Sequence, residues 1–279
     1  MEVENGLLSD LEQDNINEQD YLWNVEAVYP DPKVPSRSNL VEVNQWTDKE
    51  TTSACTIAST LWSVCTNLGL SEQFYQDNLK PIWKLAQKAG AKQPGGWYFA
   101  SAVDLIRKYV NLNKKMFGLD ETDELVSERS TRYSDLPWEL MKKWYMIVWG
   151  FKGDSVYSKD KRDNGVINWK KFGFTYWHAV AYTKRSDKLL VSKNPETRDS
   201  YKGTAFNQYT YDHFMDLVKG WTVYPSCYFF YVKSNKTADD LEIEEAIKMW
   251  ITNGKDIYST ATRQQVILMC IRTLKLAQK

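Results

Sequence analysis

Three residues far apart in the chain, Cys55, His178 and Asn194, have the side-chain types that acyl transfer through a thiol requires. Such chemistry needs a thiolate held ready, a base to exchange its proton, and donors for the oxyanion that forms. Cys55 precedes Ala58, Leu61, Trp62, Cys65 and Leu68 at helical spacing, and Thr51, Thr52 and Ser53 offer N-cap hydroxyls. A cysteine at a helix N-terminus meets unpaired N–H groups that lower its thiol pKa. A lone cysteine on an apolar helix more often serves packing, and Cys65 fits that description. His178 opens the run HAVAYT, whose alternation puts His178, Val180 and Tyr182 on one strand face and Ala179 and Ala181 on the other. A histidine there also suits a structural role. His213, inside the helix-like TYDHFMDLVKGW, is the poorer base. If HAVAYTK and KLLVSK form a hairpin, Asn194 returns beside His178, where its amide would accept from the imidazole N–H and fix the tautomer. Asn before Pro195 equally suits a turn.

The elements that must position these residues follow from the pattern around them. After the helix at Cys55, Gly69 is a terminator, and further helices are expected over QFYQDNLKPIWKLAQKAG and FASAVDLIRKYV, separated by the turn-forming QPGG. MIVWGF, HAVAYTK, KLLVSKN and CYFFYVK are short aromatic or β-branched runs that predict antiparallel strands. Helices first and strands afterwards predict an α+β fold.

Composition narrows the function classes. The 279 residues are 43% hydrophobic and 26% charged, an ordinary globular balance. Lysine plus arginine equals aspartate plus glutamate at 36 each, so no overall field favours nucleic acid. No apolar run reaches the ~18 residues of a membrane span, and no secretory leader pattern is visible. The cysteines at 55, 65, 227 and 270 form no C-x-x-C pair, which fits free thiols in a reducing compartment. Neither histidine has a neighbour at metal-ligand spacing, so no metal and no cofactor is expected. The first twenty residues hold seven acidic side chains and no basic one, and read as a mobile tail or an arm lying on the body.

TSACTIAS resembles the nucleophile-bearing helix start of papain-like cysteine peptidases. HAVAYTKRSDKLLVSKN is similar to their histidine segment, with the same sixteen-residue interval from His178 to Asn194. QPGGWYFASAVDLI resembles the family's Gly-Gly segment, whose backbone pairs with an extended peptide. The resemblance covers roughly 40–233. It implies Cys55 as nucleophile, His178 as general base and acid, Asn194 as the orienting amide, and Gly95, Gly96 and Trp97 as substrate-binding positions. It also implies Gln45 as an oxyanion donor, ten residues before Cys55 across a longer loop than in papain. Bacteriophage-encoded papain-like proteins have a comparably stretched loop, which would place this chain in a host cytoplasm or a virion. The sequence departs from the family in having Thr56 where a Trp usually follows the nucleophile, and N-P-E-T after the orienting position.

The implied architecture is papain-like. An acidic arm (1–40) precedes a peptidase domain (41–234) with an N-terminal helical subdomain and a C-terminal antiparallel β-barrel-like subdomain. A small helical hairpin (235–279) follows the polar linker KSNKTADD. The hairpin pattern EEAIKMWITNGK…TATRQQVILMCIRTL resembles a single S-layer-homology motif, which implies a cell-wall polymer or virion proteins as partners. Three functions fit these readings. The first is a cysteine endopeptidase acting on a peptide or protein substrate. The second is a catalytically quiet papain-like virion or wall-binding protein. The third is a thiol amidase or endopeptidase on peptidoglycan stem peptides.

Overall fold

The computed structural model describes residues 7–8, 53–93, 95–131, 136–143, 145–152, 162–163, 166–167, 177–184, 188–193, 206–219 and 223–234. The chain divides into two compact units, Met1–Lys233 and Ser234–Lys279. The expected helical hairpin of the second unit lies outside the described residues. The first unit is mixed α+β.

Its helical part begins with α1 (Cys55–Asn67), in which every residue but Thr66 is buried. A helix covered on all sides is a core element, and its polar residues must find partners there. Ser59, Ser63 and Asn67 recur every fourth residue and so lie on one face. Their side chains donate to the carbonyls of Ala179 (2.8 Å), Met146 (2.7 Å) and, from Asn67, Met146 and Phe230 (3.4 Å each). The Met146 N–H returns a bond to Asn67 Oδ1 at 3.0 Å. A polar stripe thus bolts the helix to the sheet.

Helix α2 (Glu72–Lys88) starts at Ser71, whose hydroxyl accepts from the Phe74 N–H, and buries Tyr75, Leu79, Ile82, Trp83 and Ala86. A turn leads to the two-residue strand Trp97–Tyr98 and then to α3 (Phe99–Leu112). These three helices fall where the apolar periodicity places them.

The sheet contains more strands than the four apolar runs suggest. In chain order, β1 is Leu7–Leu8, β2 Trp97–Tyr98, β3 Asp123–Thr131, β4 Ile147–Lys152, β5 Arg162–Asp163, β6 Val166–Ile167, β7 Trp177–Lys184, β8 Leu189–Lys193, β9 Phe206–Thr210 and β10 Val223–Ser234. The order is β3-β10-β4-β7-β8-β9-β6-β5, with β1 pairing β2 and β7. The ladders β10–β4, β4–β7, β7–β8 and β8–β9 are all antiparallel. Among the described residues no ladder joins the two ends of this order. Strand β3 reads poorly in sequence because DELVSERST is mostly polar. Asn111 holds it, donating to the Leu125 carbonyl at 2.9 Å and accepting from the Leu125 N–H at 2.8 Å.

Two short helices complete the unit, α4 (Leu136–Lys142) and α5 (Tyr211–Lys219). Phe214 of α5 meets Trp138, Trp149, Tyr182 and Tyr209 edge-on, with ring centroids 5.1–5.9 Å apart. Each such pair contributes about 0.5–1.5 kcal/mol beyond area burial. Much of the chain's aromatic content is therefore core. No helix among the described residues is long and apolar enough to cross a membrane.

Candidate functional site

Cys55 is the first residue of α1. The N-cap position falls on Ala54, with φ −92° and ψ 21°, whose methyl side chain makes no cap bond. The N-cap residue is therefore not Ser53, one of the three expected candidates; Thr51 and Thr52 lie outside the described residues. Cys55 thus opens the helix at the positive end of its dipole, with no carboxylate in the helix's own first turn.

Ser53 is used differently. Its backbone N–H donates to Gln93 Oε1 at 3.1 Å. Gln93 belongs to the QPGG turn, so this bond ties the glycine segment to the chain two residues before Cys55. The turn is closed by reciprocal bonds between Lys92 and Gly96, at 2.9 and 2.8 Å. Gly95 has φ 126° and Gly96 φ 81°. Residues with a Cβ are strained at such angles, so the paired glycines are a backbone requirement. Trp97 follows directly as the first residue of β2 and is buried.

His178 is the second residue of β7 and sits opposite Phe151 of β4. The Ala179 carbonyl immediately after it takes the Ser59 hydroxyl, one turn along α1 from Cys55. The helix turn that carries the thiol is thus anchored to the strand end that carries the imidazole. On the edge away from β4, β8 pairs β7 from Lys184 back to Ala181, where Lys193 lies opposite. Asn194 and Gln45 lie outside the described residues.

Cys55 and His178 are both fully buried. By pleat alternation His178 shares a strand face with Val180 and Tyr182, and Tyr182 packs edge-on against Phe214 of α5. Cys65 and Cys227 are buried free thiols, and burial pushes both well above the ordinary thiol range. That desolvation favours the protonated form of both thiols. Among the described residues no three His, Cys, Asp or Glu side chains are grouped to hold a metal ion.

Sequence reasoning missed Gln93, Ser59 and β1. Ser59 had a signal, since a Cys55–Ser59–Ser63–Asn67 stripe at four-residue spacing is unusually polar for a helix otherwise rich in apolar residues. Gln93 had none. Leu7–Leu8 showed only as an apolar pair in an acidic stretch. No protein-family model matches the sequence, and no curated protein matches it either.

Proposed function

We propose that this chain is a papain-like thiol peptidase in which the Cys55 thiolate attacks a peptide carbonyl. His178 then protonates the leaving amine, and water resolves the acyl-enzyme. The observation that carries this reading is the Ser59–Ala179 bond, which joins the helix turn beginning at Cys55 to the strand residue following His178. The Ser53–Gln93 bond adds the glycine turn to the same neighbourhood, as a backbone strip for an extended substrate. In this reading Asn194 orients the imidazole and Gln45 supplies an oxyanion donor. What supports the papain-like architecture in this reading is the run of antiparallel ladders β10–β4, β4–β7, β7–β8 and β8–β9 that follows the helices.

A thiol-directed epoxide tests it. Covalent labelling is expected at Cys55, abolished by Cys55→Ala, with Cys65 and Cys227 silent. His178→Gln should lower peptide hydrolysis by about 100-fold or more, the usual contribution of a positioned general base. Labelling spread over Cys65 and Cys227, or hydrolysis indifferent to His178, would sink the reading.

A second reading, a quiet papain-like protein that binds a virion or wall polymer, is favoured by the full burial of both Cys55 and His178. It predicts binding to purified cell wall that survives Cys55→Ala and is lost on truncation after residue 234. Purified sacculi serve the third reading as well, because released muropeptides would redirect the thiol chemistry to stem peptides.

A further inference from the structure

Between Asp77 and Asp104 the chain carries four lysines, Lys80, Lys84, Lys88 and Lys92, and no acidic residue. The first three lie in α2 at four-residue spacing, so they follow one face, each about 6 Å beyond the last. That face is opposite to the one that buries Tyr75, Ile82 and Ala86. Lys84 and Lys88 are exposed, as is Lys92, which follows the helix in the turn to β2. The side chains of these three make no hydrogen bond or ion pair among the described residues.

Helix stability does not account for the stripe. Lys88, in the last turn, complements the helix dipole, an effect confined to that turn. Lys84 lies a turn earlier, and like charges four residues apart repel. Lys92 is outside the helix altogether.

Lys92 connects the stripe to the glycine turn. Its N–H and carbonyl bond both ways with Gly96, at 2.9 and 2.8 Å. Its Cβ lies 3.5 Å from where a Cβ at Gly95 would be. The lysine stem therefore starts beside the proposed backbone strip for an extended peptide. Alternate residues of an extended chain are about 6.7 Å apart, close to the spacing of the stripe. The aromatic residues of α2, Phe74, Tyr75 and Trp83, are packed in or against the core, so nucleobases have nothing there to stack on. Leu85 is the only large apolar side chain exposed on this helix, too little for a bilayer.

We propose that Lys84, Lys88 and Lys92 form a docking stripe for an acidic peptide segment, next to the glycine turn. That such a peptide is a substrate rests on the thiol-peptidase reading above; its binding to the stripe does not.

The test uses the full chain carrying Cys55→Ala, so that peptides stay intact. Two fluorescein-labelled peptides of about twelve residues, one alternating Glu with Ser and one alternating Gln with Ser, are titrated by fluorescence anisotropy. The acidic peptide is expected to bind, and to bind more weakly as salt rises from about 50 to about 200 mM. Lys84→Gln/Lys88→Gln/Lys92→Gln keeps good helix formers and should weaken binding about tenfold, since three exposed charge pairs are lost. Lys115→Gln/Lys143→Gln, which removes two exposed lysines off α2, should leave it within about twofold. Equal binding of the two peptides, no effect of the triple variant, or an equal effect of the control would overturn the inference. So would an oligothymidylate of equal charge that binds the same lysines more tightly and displaces the peptide. Epoxide labelling of Cys55 in the unsubstituted chain is read separately. Labelling without stripe-dependent binding leaves the peptidase reading standing and overturns the docking stripe, while stripe-dependent binding without labelling does the reverse.

Discussion

The Ser59 hydroxyl donates to the Ala179 carbonyl across 120 residues of sequence at 2.8 Å, with both residues buried. One turn before Ser59 is Cys55, and one residue before Ala179 is His178. The bond therefore sets the slide of α1 along β7, and with it the separation of a helix N-terminus from a strand end.

Ser59→Ala should remove about 1 kcal/mol of stability, the usual worth of such a bond, with part of the loss coming from a carbonyl left unsatisfied. If the bond also positions the site, Cys55 alkylation will slow or change its pH profile by more than a global loss of that size explains. Chemical denaturation and thiol kinetics on the same variant separate the two effects.

Asn67 closes the other end of the stripe. Asn67→Ala leaves the buried Met146 N–H and the Met146 and Phe230 carbonyls without this partner. A loss of about 2–3 kcal/mol is expected, larger than for Ser59→Ala, because a buried donor is stranded as well as acceptors. The denaturation midpoint should fall with the slope unchanged.

The glycine turn makes a comparative prediction. A Cβ at Gly95 would meet only the Lys92 Cβ at 3.5 Å, an ordinary contact, whereas one at Gly118 would meet nothing within 4 Å. Sterics with neighbours therefore do not separate the two sites. Gly118 has φ 67°, in the left-handed well that other residues visit at about 1–2 kcal/mol, while Gly95 has φ 126°, outside it. Gly95→Ala should cost more than Gly118→Ala, up to about 3 kcal/mol by thermal or chemical denaturation.

Alkaline pH should weaken the fold through its buried thiols. Burial raises the folded-state pKa of Cys65 and Cys227 above the reference value of 9.0. The native state therefore retains protons that the unfolded chain releases. Their contribution is fully present below about pH 9 and is lost as pH rises beyond it, as the unfolded thiols ionise. Cys65→Ala/Cys227→Ala should flatten this part of the stability–pH curve, even though the variant loses packing at every pH.

How much of this organisation was readable beforehand depended on the range of the interaction responsible. The three helices over 55–112 and the strands at Ile147, Trp177, Leu189 and Val223 are written in local periodicity, since each buries a face or a run of its own apolar residues. Strand β3 escaped because a partner amide, Asn111, and neighbouring backbone hold it rather than an apolar pattern. The N-cap position falls on Ala54 rather than on the hydroxyl-bearing Ser53, whose backbone N–H instead makes a tertiary bond to Gln93, forty residues on.

For the candidate site, the sequence alone determined which residue types were available and which elements would carry them: a thiol opening a helix, an imidazole opening a strand, and a glycine pair in a turn. Only the tertiary structure decided that Ser53 bonds Gln93, that Ser59 bonds Ala179, and that Leu7–Leu8 pairs with Trp97, Tyr98 and Trp177. Helix and strand signals arise between residues a few positions apart. The Ser53–Gln93 and Ser59–Ala179 bonds and the β1 ladders span from forty to well over a hundred positions. Their partners are chosen by how the packed elements meet, which no local pattern encodes.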